Sequence, residues 1–176
     1  TPRRLAGAVP AISAVVCLNV AVALATASGG DSASSEQARA YYLFSLAQQA
    51  QFRSELPEAL HYLEEAVRTA DSSDLRLELA ELYSSMNKSE DAEREARQAV
   101  MLDPDSATAR STLAQILFLR AAGGADPTSR LKESESLYQD LLDQGLADEA
   151  AAQALSDLQR GREDLAAAAA TLERYR

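Results

Sequence analysis

The chain has 176 residues, 27 of them acidic and 17 basic, for a formal net charge of −10, with one histidine and one cysteine. A lone cysteine excludes an intramolecular disulfide and a cysteine-built metal site, and an acidic surface repels phosphate backbones, which excludes nucleic acid as an expected partner. Aromatics make up only 5% of the chain and tryptophan is absent, so the apolar content is mostly alanine and leucine, good helix formers like the glutamates, glutamines and arginines around them.

The first 30 residues, "TPRRLAGAVPAISAVVCLNVAVALATASGG", set Arg3 and Arg4 before an uncharged, mostly apolar run from Leu5 to Ala27. As a helix this run would span about 34 Å, enough for a hydrocarbon core of about 30 Å. It is longer than the roughly 7–15-residue core of a cleaved signal, which favours a retained anchor. The small residues "ATA" at Ala25 to Ala27 keep a cleaved secretory signal as the alternative. Val16, ahead of Cys17, argues against a lipoprotein signal. The expected order is a cytoplasmic N-terminus over residues 1–4, a transmembrane helix over 5–27 and a linker over 28–37. Gly7, Ala8, Ala11 and Ala14 would offer small faces for packing against neighbouring membrane helices. Two arginines before the run, and no basic residue after it until Arg39, place the rest of the chain outside. In a bacterium that means a single-pass inner-membrane protein with a periplasmic domain.

Beyond residue 38 helical segments recur. "ELPEALHYLEEAVRTADSS" and "KSEDAEREARQAVMLDPDS" align so that Ala59, Leu63 and Ala66 fall opposite Ala92, Ala96 and Ala99. A stripe of methyl groups buries little area alone, but it admits a second helix at close range. The preceding segments align too: Leu46 and Ala47 in "LFSLAQQA" match Leu79 and Ala80 in "LELAELY", which continues to Tyr83. A third copy opens with Leu113, Ala114 and Leu117, carries the insertion "AAGGADPT", and resumes with Ser134, Tyr138 and Leu141. A last helix pair turns at Gly161. Three helix boundaries are signalled locally. Asn87 with Glu90 has capping-box spacing, Ser54 with Pro57 marks another start, and "DPDS" at 103–106 ends one helix and offers caps for the next.

This pattern resembles the tetratricopeptide repeat, a helix-turn-helix unit of 34 residues whose large–small pair in the first helix and two alanines in the second correspond to Leu79, Ala80, Ala92 and Ala99, with Tyr83 and Pro104 also in place. The resemblance covers about residues 38–176, in copies at about 40–72, 73–106 and 107–145 and a degenerate one at 146–176. It implies an all-α fold: an α-solenoid of stacked repeats, here preceded by one transmembrane helix, whose core forms between neighbours.

No HExxH, Walker-type glycine loop, GxSxG or CxxC occurs. The single histidine, His61, reads as a surface residue beside Tyr62. Neither catalysis, a cofactor, a metal nor a small-molecule substrate is expected. The resemblance implies instead a groove along the inner faces of the first helices. Its lining would be Tyr41, Phe44, Gln48 and Phe52 in the first copy, Leu77, Glu81 and Ser84 in the second, and Ser111, Gln115 and Phe118 in the third. These positions lack the Lys/Arg and Asn set with which chaperone-binding members clamp a terminal carboxylate. The expected function is a non-enzymatic interaction subunit: a membrane-anchored repeat scaffold that stabilises or assembles a larger membrane complex, whether respiratory, photosynthetic or for envelope export. The alternative is a soluble exported adaptor or assembly chaperone with its signal removed.

Overall fold

The computed structural model describes residues 32–121 and 127–175, and their regular structure is entirely helical. Eight helices follow one another: α1 (Ser32–Phe52), α2 (Leu56–Thr69), α3 (Ser73–Ser85), α4 (Ser89–Leu102), α5 (Ala107–Ala121), α6 (Pro127–Asp143), α7 (Glu149–Gly161) and α8 (Leu165–Tyr175). The closest packing lies within successive pairs, α1 with α2 through α7 with α8, and each pair then meets the next through α2–α3, α4–α5 and α6–α7. Of the first helices, α3 also touches α5. The result is a helical solenoid whose contacts run between neighbours.

The alanine stripe sets the spacing. Ala59, Ala66, Ala92, Ala96 and Ala99 have no exposed surface, and neither do Ala47, Ala80 and Ala114 on the facing first helices. Leu63, Leu79, Leu113 and Leu117 fill the space these methyls leave. The third pair departs from the pattern, with Ser134, Tyr138 and Leu141 at the stripe positions, all buried. The Ser134 hydroxyl is satisfied by donating to the Ala114 carbonyl at 2.7 Å, so a polar atom costs little there.

Two kinds of connection alternate. Within the first, second and fourth pairs the turn runs through a left-handed residue, Ser54 (φ 62°), Asn87 (φ 58°) and Glu163 (φ 63°). The first two turns are closed by backbone alone, and in the fourth pair Asp164 also accepts from the Ala167 N–H at 3.0 Å. The Lys88 N–H donates to the Tyr83 carbonyl at 2.9 Å and the Asn87 N–H to Ser84 at 3.0 Å, the paired bonds of a Schellman end. Glu55 to Ala50 at 2.9 Å and Ser54 to Gln51 at 2.8 Å repeat the arrangement. Asn87 and Ser54 therefore do not cap the helices that follow them. They close the helices before them, and the N-caps of α2 and α4, Glu55 and Lys88, make no side-chain cap bond. Between pairs the side chains do cap: Ser72 accepts from the Leu75 N–H at 3.3 Å, Ser106 from Ala109 at 3.2 Å and Asp148 from Ala151 at 2.7 Å. The expectation for 103–106 holds, since Asp103 ends α4 and Ser106 caps α5.

Two expectations for the N-terminal part are revised. Helix α1 begins at Ser32, inside the stretch read as a linker, because "SASSEQAR" is polar without being a helix breaker. The single-pass inner-membrane location with a periplasmic domain is also not upheld, since no described helix is long and apolar enough to cross a membrane. At 21 residues α1 has the length but carries Glu36, Arg39 and a run of serines and glutamines. The segment 5–27, with Gly7, Ala8, Ala11 and Ala14, lies outside the described residues.

Two substitutions test these features. Ser54→Gly removes the left-handed strain of a side chain and is expected to raise stability by about 0.5–1 kcal/mol in chemical denaturation. Ala96→Leu overfills the contact between α4 and its neighbours and is expected to cost about 1–3 kcal/mol on the same scale.

Candidate protein-binding groove

The outward faces of α1, α3 and α5 carry two hollows in series. The first, about 370 Å³, lies between α1 and α3 and is walled by Tyr41 and Phe44 on one side and Asp74, Leu75 and Glu78 on the other. The second, about 300 Å³, lies between α3 and α5, with Glu81, Ser84 and Ser85 facing Thr112, Gln115, Ile116 and Leu119. Helix α3 is their shared wall.

The expected lining residues fall into three groups. Tyr41 and Phe44 line the first hollow, and Glu81, Ser84 and Gln115 line the second. Gln48, Phe52 and Phe118 are exposed and Ser111 is half-buried, but none of these four borders either hollow. Leu77 is not a groove residue. It is buried against Ala99, Ala109 and the partly buried Val100, because α4 and the start of α5 close over that turn of α3. Sequence reasoning missed Asp74, Glu78 and Leu119. The signal for the first two was available: Asp74, Glu78 and Glu81 recur at i, i+4 and i+7, the spacing of one helix face.

That face is electrostatically bare. Among the described residues Asp74, Glu78 and Glu81 make no ion pair, although most other carboxylates near the core do. Burial pushes the Glu78 carboxyl above its ordinary value, and the charges of Glu81 and Asp74 add to the rise. Asp71, also on the rim of the first hollow, is neutralised by Arg76, which reaches it at 2.6 and 2.7 Å.

Behind the groove a charge cluster holds α5 in place. Glu93 on α4 is paired with Arg97 at 2.9 Å, with Arg130 of α6 at 3.4 Å, and with Arg120 at the end of α5. Arg97 also pairs with Glu133 of α6. The Glu93 side chain is only 12% exposed. Burial alone would raise its carboxyl, but hydrogen bonds from Arg97 and Arg120 outweigh that and hold it below its ordinary value. The cluster thus ties α4 to both flanks of the insertion between α5 and α6, and fixes the end of α5 that carries Phe118 and Leu119.

Among the described residues no group of three or more histidine, cysteine or acidic side chains is placed to hold a metal ion. His61 is exposed on α2, its ring 5.8 Å from that of Tyr62 and its Nε2 3.9 Å from Glu65.

Comparison with known proteins agrees with this architecture. Residues 53–116 match the family model of the tetratricopeptide repeat. No curated protein sequence matches the chain. Among solved structures, the first such domain of Spaghetti (RPAP3), bound to the HSP90 peptide SRMEEVD, is similar at 17% identity and a TM-score of 0.61, over 71% of this chain and 94% of that one. The Sgt2 domain from Aspergillus fumigatus is 21% identical with a TM-score of 0.59, over 71% and 80%. MamA AMB-1 is 14% identical with a TM-score of 0.61, over 93% and 82%. At such identities the likeness is one of fold: an all-α, tetratricopeptide-like solenoid.

The Glu93 cluster has a measurable signature. Glu93→Gln leaves Arg120 and Arg130 without their shared countercharge and is expected to cost about 1–3 kcal/mol. A carboxylate whose folded pKa is depressed stabilises above its unfolded value, and that contribution is lost as pH falls through the folded one. Glu93 is such a group, displaced downward from 4.5. The stability of the wild-type chain should therefore fall more steeply below pH 4.5 than that of Glu93→Gln, as followed by thermal unfolding across pH.

Proposed function

We propose that the chain is a non-enzymatic interaction module whose α1–α3–α5 face receives a segment of a protein partner, and that it serves as a subunit of a larger assembly. The observation that carries this reading is the set of apolar side chains left open along that face. Phe52 is 92% exposed, Tyr41 63%, Leu119 56% and Phe118 37%. Single exposed apolar residues need no explanation, but Tyr41 and Leu119 stand exposed in the walls of the two hollows, with Phe52 and Phe118 exposed further along the same two helices. Such a clustering beside hollows is what interaction surfaces have. The peptide held by the Spaghetti domain supports a role of this kind for a related fold. That peptide ends in Glu-Glu-Val-Asp, and the present groove, with carboxylates at 74, 78 and 81, would repel such an end.

The test is site-specific photo-crosslinking of the full chain in a lysate of its host. Photoreactive residues at Gln37 and Gln115, one in each hollow, should capture a discrete protein partner, while the same group at His61, on α2, should not. Equal capture from all three positions would remove the groove from the proposal. The subunit role is read from native mass: co-elution in one defined assembly is expected, and elution near 18.8 kDa would overturn it.

A further inference from the structure

We infer that the segment received by this groove is basic: a stretch of a protein partner that alternates apolar anchors with lysine or arginine. The inference rests on the groove reading above and adds the partner's chemistry to it. Four features of the first hollow favour a cation. Asp74 and Glu78 border it without an ion-pair partner among the described residues. The Tyr41 ring stands at its mouth, exposed, where it can receive an ammonium or guanidinium group on its face. Ala70, the C-cap of α2, lies on the rim and brings the negative end of that helix dipole to the site. No lysine or arginine lines the hollow.

The second hollow continues the same sign. Glu81 sits one further turn along α3, and the opposite wall is uncharged, formed by Gln115, Ile116 and Leu119. Three carboxylates on one face therefore run beside two hollows of mixed lining, with apolar side chains at Tyr41, Phe44 and Leu75 in the first and Ile116 and Leu119 in the second, over about 10 Å, from the helical rise of about 1.5 Å per residue. This arrangement is unfavourable while empty: three like charges share one helix face, and Glu78 titrates upward chiefly because it is partly buried, with repulsion from Glu81 and Asp74 adding to the rise. A partner bearing two or three cations at the spacing of one helical face, or of about three residues of extended chain, relieves that repulsion while its apolar residues enter the hollows. Charge complementarity thus discriminates among partners as well as attracting them.

The experiment is selection of a random 16-residue peptide library, displayed on phage, against the immobilised full chain. The enriched sequences are expected to be net positive, with Lys or Arg three or four positions apart and aliphatic or aromatic residues between. A selected peptide should lose about tenfold in affinity towards the triple variant Asp74→Asn, Glu78→Gln, Glu81→Gln, from three surface pairs of modest strength. Glu81→Lys alone should weaken it as well, which guards against a folding defect in the triple variant. Enrichment of neutral or acidic peptides that still compete at Tyr41 would overturn the basic partner and leave the groove standing. Absence of any enrichment, or binding indifferent to Tyr41→Ala and Leu119→Ala, would overturn the groove itself.

Discussion

The distance between helices is the constraint on which the rest of the molecule depends. It is set by alanines with no exposed surface at 59, 66, 92, 96 and 99, facing alanines at 47, 80 and 114. A methyl group contributes little transfer energy by itself. Its value is negative space, which lets the leucines of adjacent helices reach one another and keeps the packing continuous along the stack. Because second helices nest so closely, the first helices α1, α3 and α5 follow one another along one face. The two hollows are the gaps between them.

The third pair shows how the stack continues where the alanine stripe is replaced. Ser134, Tyr138 and Leu141 occupy the stripe positions, and the α5–α6 connection is longer than the connections inside the other three pairs. Burial pushes the Tyr138 hydroxyl up to about 12, so the ring is held in its neutral form inside the core. The third pair is tied in by the Ser134–Ala114 hydrogen bond and the arginines gathered on Glu93, as the first two are by Tyr83–Glu64, Ser73–Ala99 and Arg76–Glu95. The end of α5, one wall of the groove, is therefore held by ion pairs through Arg120, and α3, the other, by its leucines and alanines together with Arg76–Glu95.

Much of this was legible in the sequence. The offset between Ala59 and Ala92 is a property of the chain, and once seen it implies the helix pairs, their order and their buried face. Turn chemistry was less legible. Asn87 and Ser54 are as suitable at the left-handed position after a helix as at the cap before one, and residue type alone does not choose between them. Here the backbone chose, because both residues sit at the left-handed position that closes the preceding helix through the Schellman bonds. The caps that follow, Glu55 and Lys88, make no side-chain bond, whereas Asp164 in the equivalent α7–α8 turn does. Of the residues expected to line a groove, Tyr41, Phe44, Glu81, Ser84 and Gln115 border the two hollows and Gln48, Phe52, Ser111 and Phe118 do not. Leu77 has the periodicity of a lining residue, but α4 and α5 converge over it. The acidic face of α3 was visible as spacing, yet its lack of counterions was not, since arginines lie nearby in sequence and only the fold shows that Arg76 turns to Asp71 and Glu95 instead.

Contacts confined to neighbouring helices have a mechanical side. In a structure of this kind each interface holds only the two elements that share it, so an opening at one end need not disturb the other, and stability is a chain of local terms rather than one global quantity. A segment lying across α1, α3 and α5 would touch three such units at once. It would act as a splint, supplying the long-range coupling that the bare stack lacks, so that the region under the groove opens as a single block while α7 and α8 keep their own, independent rhythm of breathing.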